Sequence, residues 1–136
     1  MTATAYALLG FASWTIFLLF LLGAYRTSAV MTGKKRANSF SPLGDDVSGF
    51  PQRLTRAHAN CYENLPLAGA ILLYAIATNQ TGATDGLAYY FLGARILQSL
   101  AHLASTSTNA VTIRFAFFIV QVAIEIYWLL ALFHVI

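Results

Sequence analysis

The chain has 136 residues, which is the size of a single domain. Apolar residue types make up 58% of it and charged types only 10%, against about 25% charged in an ordinary soluble domain. The formal charge is only +3. This composition excludes a disordered chain and a nucleic-acid-binding module. It also excludes a disulfide scaffold, because the single Cys61 has no partner within the chain.

Four stretches predict membrane-spanning helices, over residues 3–25, 53–77, 86–104 and 114–136 of one domain, 1–136. A hydrocarbon core of about 30 Å needs about 20 residues of helix. The second stretch is unusual, because its apolar part, Leu65–Ala77, is too short to cross alone and must be extended by the polar run Arg53–Asn64. The first stretch lacks the basic start and small-residue cleavage site of a signal peptide, so we interpret it as a retained helix.

The basic residues predict the orientation of these spans. Six of the eight lie in or beside the first loop, namely Arg26, Lys34, Lys35, Arg36, Arg53 and Arg56. The second loop, residues 78–85, has no Lys or Arg. Because cytoplasmic loops carry an excess of positive charge, we expect the first and third loops in the cytoplasm. The basic run of the first loop is then a topology signal with an attraction for anionic lipid.

Polar residues fall on one face of each of the last three predicted helices. At about 100° per residue, the second helix carries a stripe about 100° wide, formed by Arg53, Arg56, Asn60, Glu63 and Asn64. The third carries Arg95, Gln98 and His102, and the fourth carries Arg114, Gln121 and Glu125. Membrane-embedded charges usually face the bundle interior or a wet cavity. We therefore expect these faces to turn inward onto a shared cleft.

Two uses of this cleft follow from the charges. Helix rise places Arg95 near the level of Glu63 and Glu125, which predicts a buried ion pair that holds the helices together. Arg53, Arg56 and Arg114 lie nearer the cytoplasmic ends, where they outnumber the acids and suit a ligand with carboxylates or phosphates. The same pocket could admit a lipophilic co-substrate from the membrane. No metal-ligand spacing is present, and Pro66 is expected to bend the second helix.

The run from Arg53 to Pro66 resembles the signature of the MAPEG family, the membrane-associated proteins in eicosanoid and glutathione metabolism. The family pattern is roughly R-x-x-R-A-x-x-N-x-x-E-x-x-P at the start of the second of four helices, and every fixed position matches here. The size, the four spans and the basic first loop also match. The chain is similar to bacterial-type members, which implies an all-α, multi-pass protein of the bacterial inner membrane.

The resemblance implies a homotrimer of four-helix bundles that binds glutathione, without a metal, between neighbouring protomers. It further implies a transferase or peroxidase that turns a glutathione thiolate on a lipophilic electrophile or hydroperoxide. Arg114 matches the arginine that stabilises the thiolate. The matching glutathione-binding residues are Arg56, Asn60, Glu63 and His102, with Arg26 or another basic residue of the first loop for a glutathione carboxylate. Arg95 matches an arginine that pairs with the motif glutamate.

This chain departs from the family pattern at two places. Two positions that are commonly tyrosines in enzymatic members are occupied by Gln98 and His102. The spacing from His102 to Arg114 is also longer, so either the third loop is extended or Arg114 is not the equivalent residue. Three functions therefore stay open, namely an enzyme, a non-catalytic lipid- or glutathione-binding protein that serves a partner, and a small transporter or channel.

Overall fold

The computed structural model describes residues 1–136 as an all-α bundle without strands, which confirms the predicted fold class. Its four helices are α1 (Ala3–Met31), α2 (Phe50–Ala77), α3 (Asp85–Ala104) and α4 (Thr108–Leu132). A short 3-10 turn, Thr81–Ala83, joins α2 to α3. By length and composition, α1 and α4 are able to cross a membrane. The other two do not meet the same criterion, because each carries charged and polar residues along its length.

The end of α1 and the start of α4 differ most from the sequence expectation, while α2 begins three residues earlier and α4 ends four residues earlier than predicted. Helix α1 continues to Met31 rather than to residue 25, and it stops where Gly33 takes a left-handed φ of 74°. Helix α4 begins at Thr108 rather than at residue 114, because the Ser107 side chain caps it by accepting from the Ala110 amide at 3.2 Å. Helix α2 is unbroken through Pro66. Because α4 begins at Thr108, the loop between α3 and α4 is short and comprises residues 105–107.

Helix α3 is the centre of the bundle. It packs against all three other helices, while α1 lies along α2 and α4 packs mainly on α3. In the middle of the core the Phe91 ring lies 6.0 Å from that of Phe11 and 5.2 Å from that of Trp128. A Cβ at Gly10 would lie 2.7 Å from the Leu92 Cδ2 methyl, so a larger residue here would require the Leu92 side chain of α3 to shift.

The outer surface of the bundle is apolar. Large exposed side chains of α1 and α4 include Ile16, Phe20, Phe115 and Ile126. A monomeric water-soluble protein rarely exposes so much contiguous apolar surface. The surface thus suits contact with lipid tails or with another protomer.

The first loop folds back onto the start of α2. Lys35 forms an ion pair of 2.8 Å with Asp46, and this hydrogen bond holds the pKa of the Asp46 carboxyl below its ordinary value. The Lys35 ammonium also lies 5.2 Å from the centre of the Phe40 ring. Gly44, at a φ of 76°, is buried against Thr55 of α2. The loop is thus an ordered cover over one side of α2.

At the opposite end of the bundle, one carboxylate ties two helices together. Asp85 at the start of α3 accepts from the Thr4 amide at 2.8 Å and from the Thr4 hydroxyl at 2.6 Å. The Thr4 and Thr84 hydroxyls also share a bond of 2.6 Å. The carboxylate satisfies an amide of the first turn of α1, where negative charge is favourable.

Asp85→Ala should lower the stability of the bundle, because it removes the acceptor for both bonds from Thr4. Loss of such an acceptor at a helix start costs about 1 kcal/mol. The midpoint of thermal unfolding in detergent should fall relative to the wild type. Asp45→Ala, at an exposed carboxylate of the first loop, is the control and should leave the midpoint unchanged. Equal midpoints for the two variants would contradict the role given to Asp85.

Candidate functional site

A cationic cavity of about 220 Å³ lies where the first part of α2, the end of α3 and the second turn of α4 meet. Six residues line it, none of them apolar and none acidic, namely Gln52, Arg53, Arg56, His102, Thr106 and Arg114. The two loop-proximal members, Gln52 and Thr106, place the cavity next to the first and third loops. The cavity is thus at the end of the bundle for which the positive charge of the loops predicts a cytoplasmic location.

Two of the arginines are held in place by groups of α3. The Arg53 Nε donates to the Leu103 carbonyl at 2.8 Å, which satisfies one of the free carbonyls at the end of that helix. Arg114 lies 2.8 Å through Nη1 from the His102 Nδ1. Both bonds join the cationic side chains to the same helix end, so α3 determines where the guanidinium groups lie.

No carboxylate neutralises the cavity. The single ion pair of the chain joins Lys35 to Asp46 in the first loop. Arg53, Arg56 and Arg114 therefore have no acidic partner, and the buried Arg114 Nε has no hydrogen-bond acceptor at all. Several unpaired guanidinium groups around one space suit an anion with carboxylate or thiolate groups.

The buried Arg95 does not form the ion pair that the sequence predicted. Its side chain is 1% exposed, and its Nη1 donates to the Asn60 Oδ1. Neither Glu63 nor Glu125 reaches it, and its Nε has no partner. The guanidinium instead lies 5.2 Å from the centre of the Phe11 ring. The prediction was wrong because Asn60, about 60° round the helix from Glu63, is the member of the stripe that faces α3.

The polar stripe of α2 is divided between two surfaces. Asn60 and Asn64 are half-buried, whereas Arg56 and Glu63 are exposed on the protomer. With Pro42 of the first loop, Arg56, Asn60 and Glu63 line a second cavity of about 190 Å³. The expectation that the whole stripe turns inward onto one cleft was therefore wrong for Glu63, whereas the exposed Arg56 lines both cavities. A stripe about 100° wide is too broad for one neighbouring helix to cover.

The remaining predicted site residues lie elsewhere. Arg26 lines neither of these two cavities, and its guanidinium lies 5.3 Å from the centre of the Phe40 ring. The polar faces of α3 and α4 meet as predicted, because the buried Gln121 amide donates to the Gln98 side-chain carbonyl oxygen at 2.8 Å. Glu125 is half-buried without an ion pair.

Sequence reasoning missed two lining residues, Gln52 and Thr106. Gln52 precedes the motif by one residue and lies before the predicted start of the second span. Thr106 belongs to a run of four hydroxyl residues that indicates only a helix end. A signal for both existed in their position, since Gln52 lies in the first turn of α2 and Thr106 lies two residues before α4, at the same end of the bundle. Their chemistry alone did not distinguish them from ordinary loop residues.

An apolar cavity lies at the other end of the bundle. Its volume is about 280 Å³, and six apolar residues of α2 and of the α4 C-terminal end line it, namely Ala70, Ile71, Tyr74, Leu129, Leu132 and Phe133. From Arg56 to Ile71 the rise along α2 is about 22 Å. In the protomer the cationic and the apolar cavity are therefore far apart.

Fold and site together define a helical membrane bundle with a carboxylate-free cluster of arginines at one end. Residues 4–134 match the model of the MAPEG family, so the chain belongs to this family, whose members are membrane helical bundles. The match covers nearly the whole chain and includes the motif on α2. Comparisons with curated proteins and with solved structures gave no significant match.

Asn60→Leu should destabilise the bundle, because it leaves the buried Arg95 charge without its acceptor. The expected loss is about 1.5–3 kcal/mol, the range for a hydrogen bond to a charged group. Arg95→Met in the same chain removes the isolated charge while keeping an unbranched side chain over Phe11. The double variant should unfold at a higher temperature in detergent than Asn60→Leu alone. A double variant that is no more stable would contradict the dependence of Arg95 on Asn60.

Proposed function

We propose that this protein is a glutathione-dependent membrane enzyme that turns a glutathione thiolate on a lipophilic electrophile or hydroperoxide. The observation that carries the proposal is the cavity of Arg53, Arg56 and Arg114, which contains no carboxylate. Glutathione has two carboxylates and a thiol. Its anionic groups match three guanidinium groups that have no acidic partner in the chain. Membership of the MAPEG family supports a glutathione-related function.

Arg114 is the thiolate partner in this proposal. A thiol of this kind has a pKa of about 8.5, so little of it is ionised at neutral pH. A guanidinium beside the sulfur in a partly buried cavity favours the anion and so lowers that pKa. The proton leaves to water, since a guanidinium has no site to accept it. Helix α4 starts at Thr108, which places Arg114 within the cavity despite its greater sequence distance from His102.

The thiolate then reacts by one of two balanced routes. In conjugation, sulfur bonds to the electrophilic carbon and the leaving group departs with its electron pair. In peroxide reduction, sulfur attacks the terminal oxygen of the hydroperoxide and the O–O bond breaks. The rest of the peroxide departs as an alkoxide, takes a proton from water and is released as an alcohol. The resulting sulfenic acid condenses with a second glutathione to give a disulfide and water.

A homotrimer completes the site in this proposal. The exposed Arg56 and Glu63 both line the second cavity beside the first loop, where a neighbouring protomer could bury them against a shared ligand. The positive charge of the first loop supports an orientation with the first and third loops in the cytoplasm, where glutathione is abundant. A bacterial inner membrane is the proposed location. Arg26 is left outside the protomer's part of the binding site.

A non-catalytic binding protein is the second candidate function. It is favoured by the absence of any apolar residue around the cationic cavity and by the distance of about 22 Å along α2 to the apolar one. Such a protein would bind glutathione and a lipid separately and would present one of them to a partner. Saturable binding of glutathione without any rate above background would select this function.

Arg114→Ala should abolish most of the activity of the purified protein with glutathione and a chlorodinitrobenzene. Loss of one preorganised donor to a developing or full anion costs about 10²–10³ in rate. The control is Thr112→Ala on the same helix, because the exposed Thr112 hydroxyl donates only to the Thr108 carbonyl at 3.0 Å. This control should retain the wild-type rate. Full activity of Arg114→Ala would remove Arg114 from the mechanism.

Arg56→Ala should weaken glutathione binding rather than the chemical step. Loss of a charged hydrogen bond of about 1.5–3 kcal/mol corresponds to a rise in the dissociation constant of about 10–100-fold. Calorimetric titration of the detergent-solubilised protein with glutathione measures this constant, and the same preparation gives kcat. An unchanged dissociation constant would place the glutathione carboxylates away from Arg56.

A further inference from the structure

The contact between His102 and Arg114 fixes the protonation state of the imidazole. The guanidinium Nη1 is 2.8 Å from the His102 Nδ1 and 3.4 Å from Nε2, so the shorter contact is the hydrogen bond. An arginine has five N–H donors and no acceptor. The Nδ1 must therefore carry a lone pair, and the ring is neutral with its proton on Nε2.

We propose that His102 is a positioning residue that holds the Arg114 guanidinium against the cavity by accepting its hydrogen bond as a neutral imidazole. This inference rests on the proposed function, because it concerns the group that faces the thiolate. It assigns a role to a side chain at a position where the family pattern commonly has a tyrosine. A tyrosine offers a hydroxyl that both donates and accepts, whereas the unprotonated imidazole nitrogen only accepts.

Arg114 needs such a partner because nothing else holds it. Its Nε is buried without an acceptor, and no carboxylate forms an ion pair with it. A long arginine side chain loses about 2 kcal/mol of rotamer freedom when it is fixed. The contact with His102 is the one side-chain hydrogen bond that this guanidinium makes within the protein.

A neutral acceptor also preserves the charge of the site. The charged side chains that line the cavity with His102 are all cationic, namely Arg53 and Arg56 of α2 and Arg114 of α4. A carboxylate in place of His102 would orient Arg114 equally well but would neutralise it. The imidazole orients the guanidinium and leaves its full charge for the ligand. The position of His102 also favours this role, because the neighbouring Leu103 of the same helix end already holds Arg53.

Two substitutions separate the acceptor from the shape of the side chain. His102→Phe keeps a flat ring and removes the acceptor. His102→Asn loses the ring but places an amide oxygen at the same number of bonds from the backbone as Nδ1. The control is His134→Asn at the exposed C-terminal end beyond α4, where the residue has a φ of 58°, a conformation that asparagine tolerates.

The measurement is the ultraviolet absorbance of the thiolate of bound glutathione as a function of pH, together with kcat and KM for a chlorodinitrobenzene substrate. In His102→Phe the apparent pKa of the bound thiol should rise by about one unit, and kcat at neutral pH should fall about tenfold. The KM for glutathione should change less than about threefold, which corresponds to only about 0.7 kcal/mol, since Arg53 and Arg56 are intact. His102→Asn and His134→Asn should both keep the wild-type thiol pKa.

The outcomes distinguish this inference from the proposed function. A wild-type protein with no saturable thiolate signal would overturn the proposed function. A clear wild-type signal that His102→Phe leaves unchanged would overturn the role of His102 alone. If His102→Phe fails to fold, His102→Asn still tests the inference. A rise of one unit or more in the thiol pKa of His102→Asn would show that an acceptor at this position is not sufficient, and would overturn the inference. Recovery of the wild-type pKa by His102→Asn would support the inference.

Discussion

The absence of an ion pair for any arginine is the constraint on which the polar half of this structure depends. The chain has five acidic residues for eight basic ones. Asp46 is bound by Lys35 and Asp85 by Thr4, and neither lies near the cationic cavity. The guanidinium groups of the bundle are consequently held by neutral acceptors: a backbone carbonyl for Arg53, an amide for Arg95 and an imidazole for Arg114. Each acceptor fixes geometry without cancelling charge.

Much of the fold could be predicted from the sequence, because the hydrophobic pattern of a membrane bundle is strong. The four helices and their order follow from long stretches of low charge. The helix ends could not be predicted equally well. The end of α1 depends on the left-handed Gly33, and the start of α4 depends on one hydroxyl cap at Ser107. Both are local backbone choices that hydropathy does not record.

The site was predicted in part. Helical periodicity correctly placed polar groups of α3 and α4 face to face, as the bond between Gln121 and Gln98 shows. Periodicity gives an angle about one helix but not the rotation of that helix against its neighbours. The stripe of α2 was therefore identified, while its division between Asn60, which contacts Arg95, and the exposed Glu63 was not. Partners in three dimensions depend on packing that a single sequence does not encode in any short pattern.

The position of the cationic cavity at the helix ends has a consequence for any reaction there. For helices that span a bilayer, a guanidinium cluster at their ends, as here, lies at the level of the lipid headgroups rather than among the acyl chains. An amphiphile that lies in the bilayer presents its polar end at this level and its hydrocarbon tail well below it. The atoms most readily brought to the cluster are thus those near the polar end of the amphiphile, and a reactive group in mid-tail would first have to rise out of the hydrocarbon.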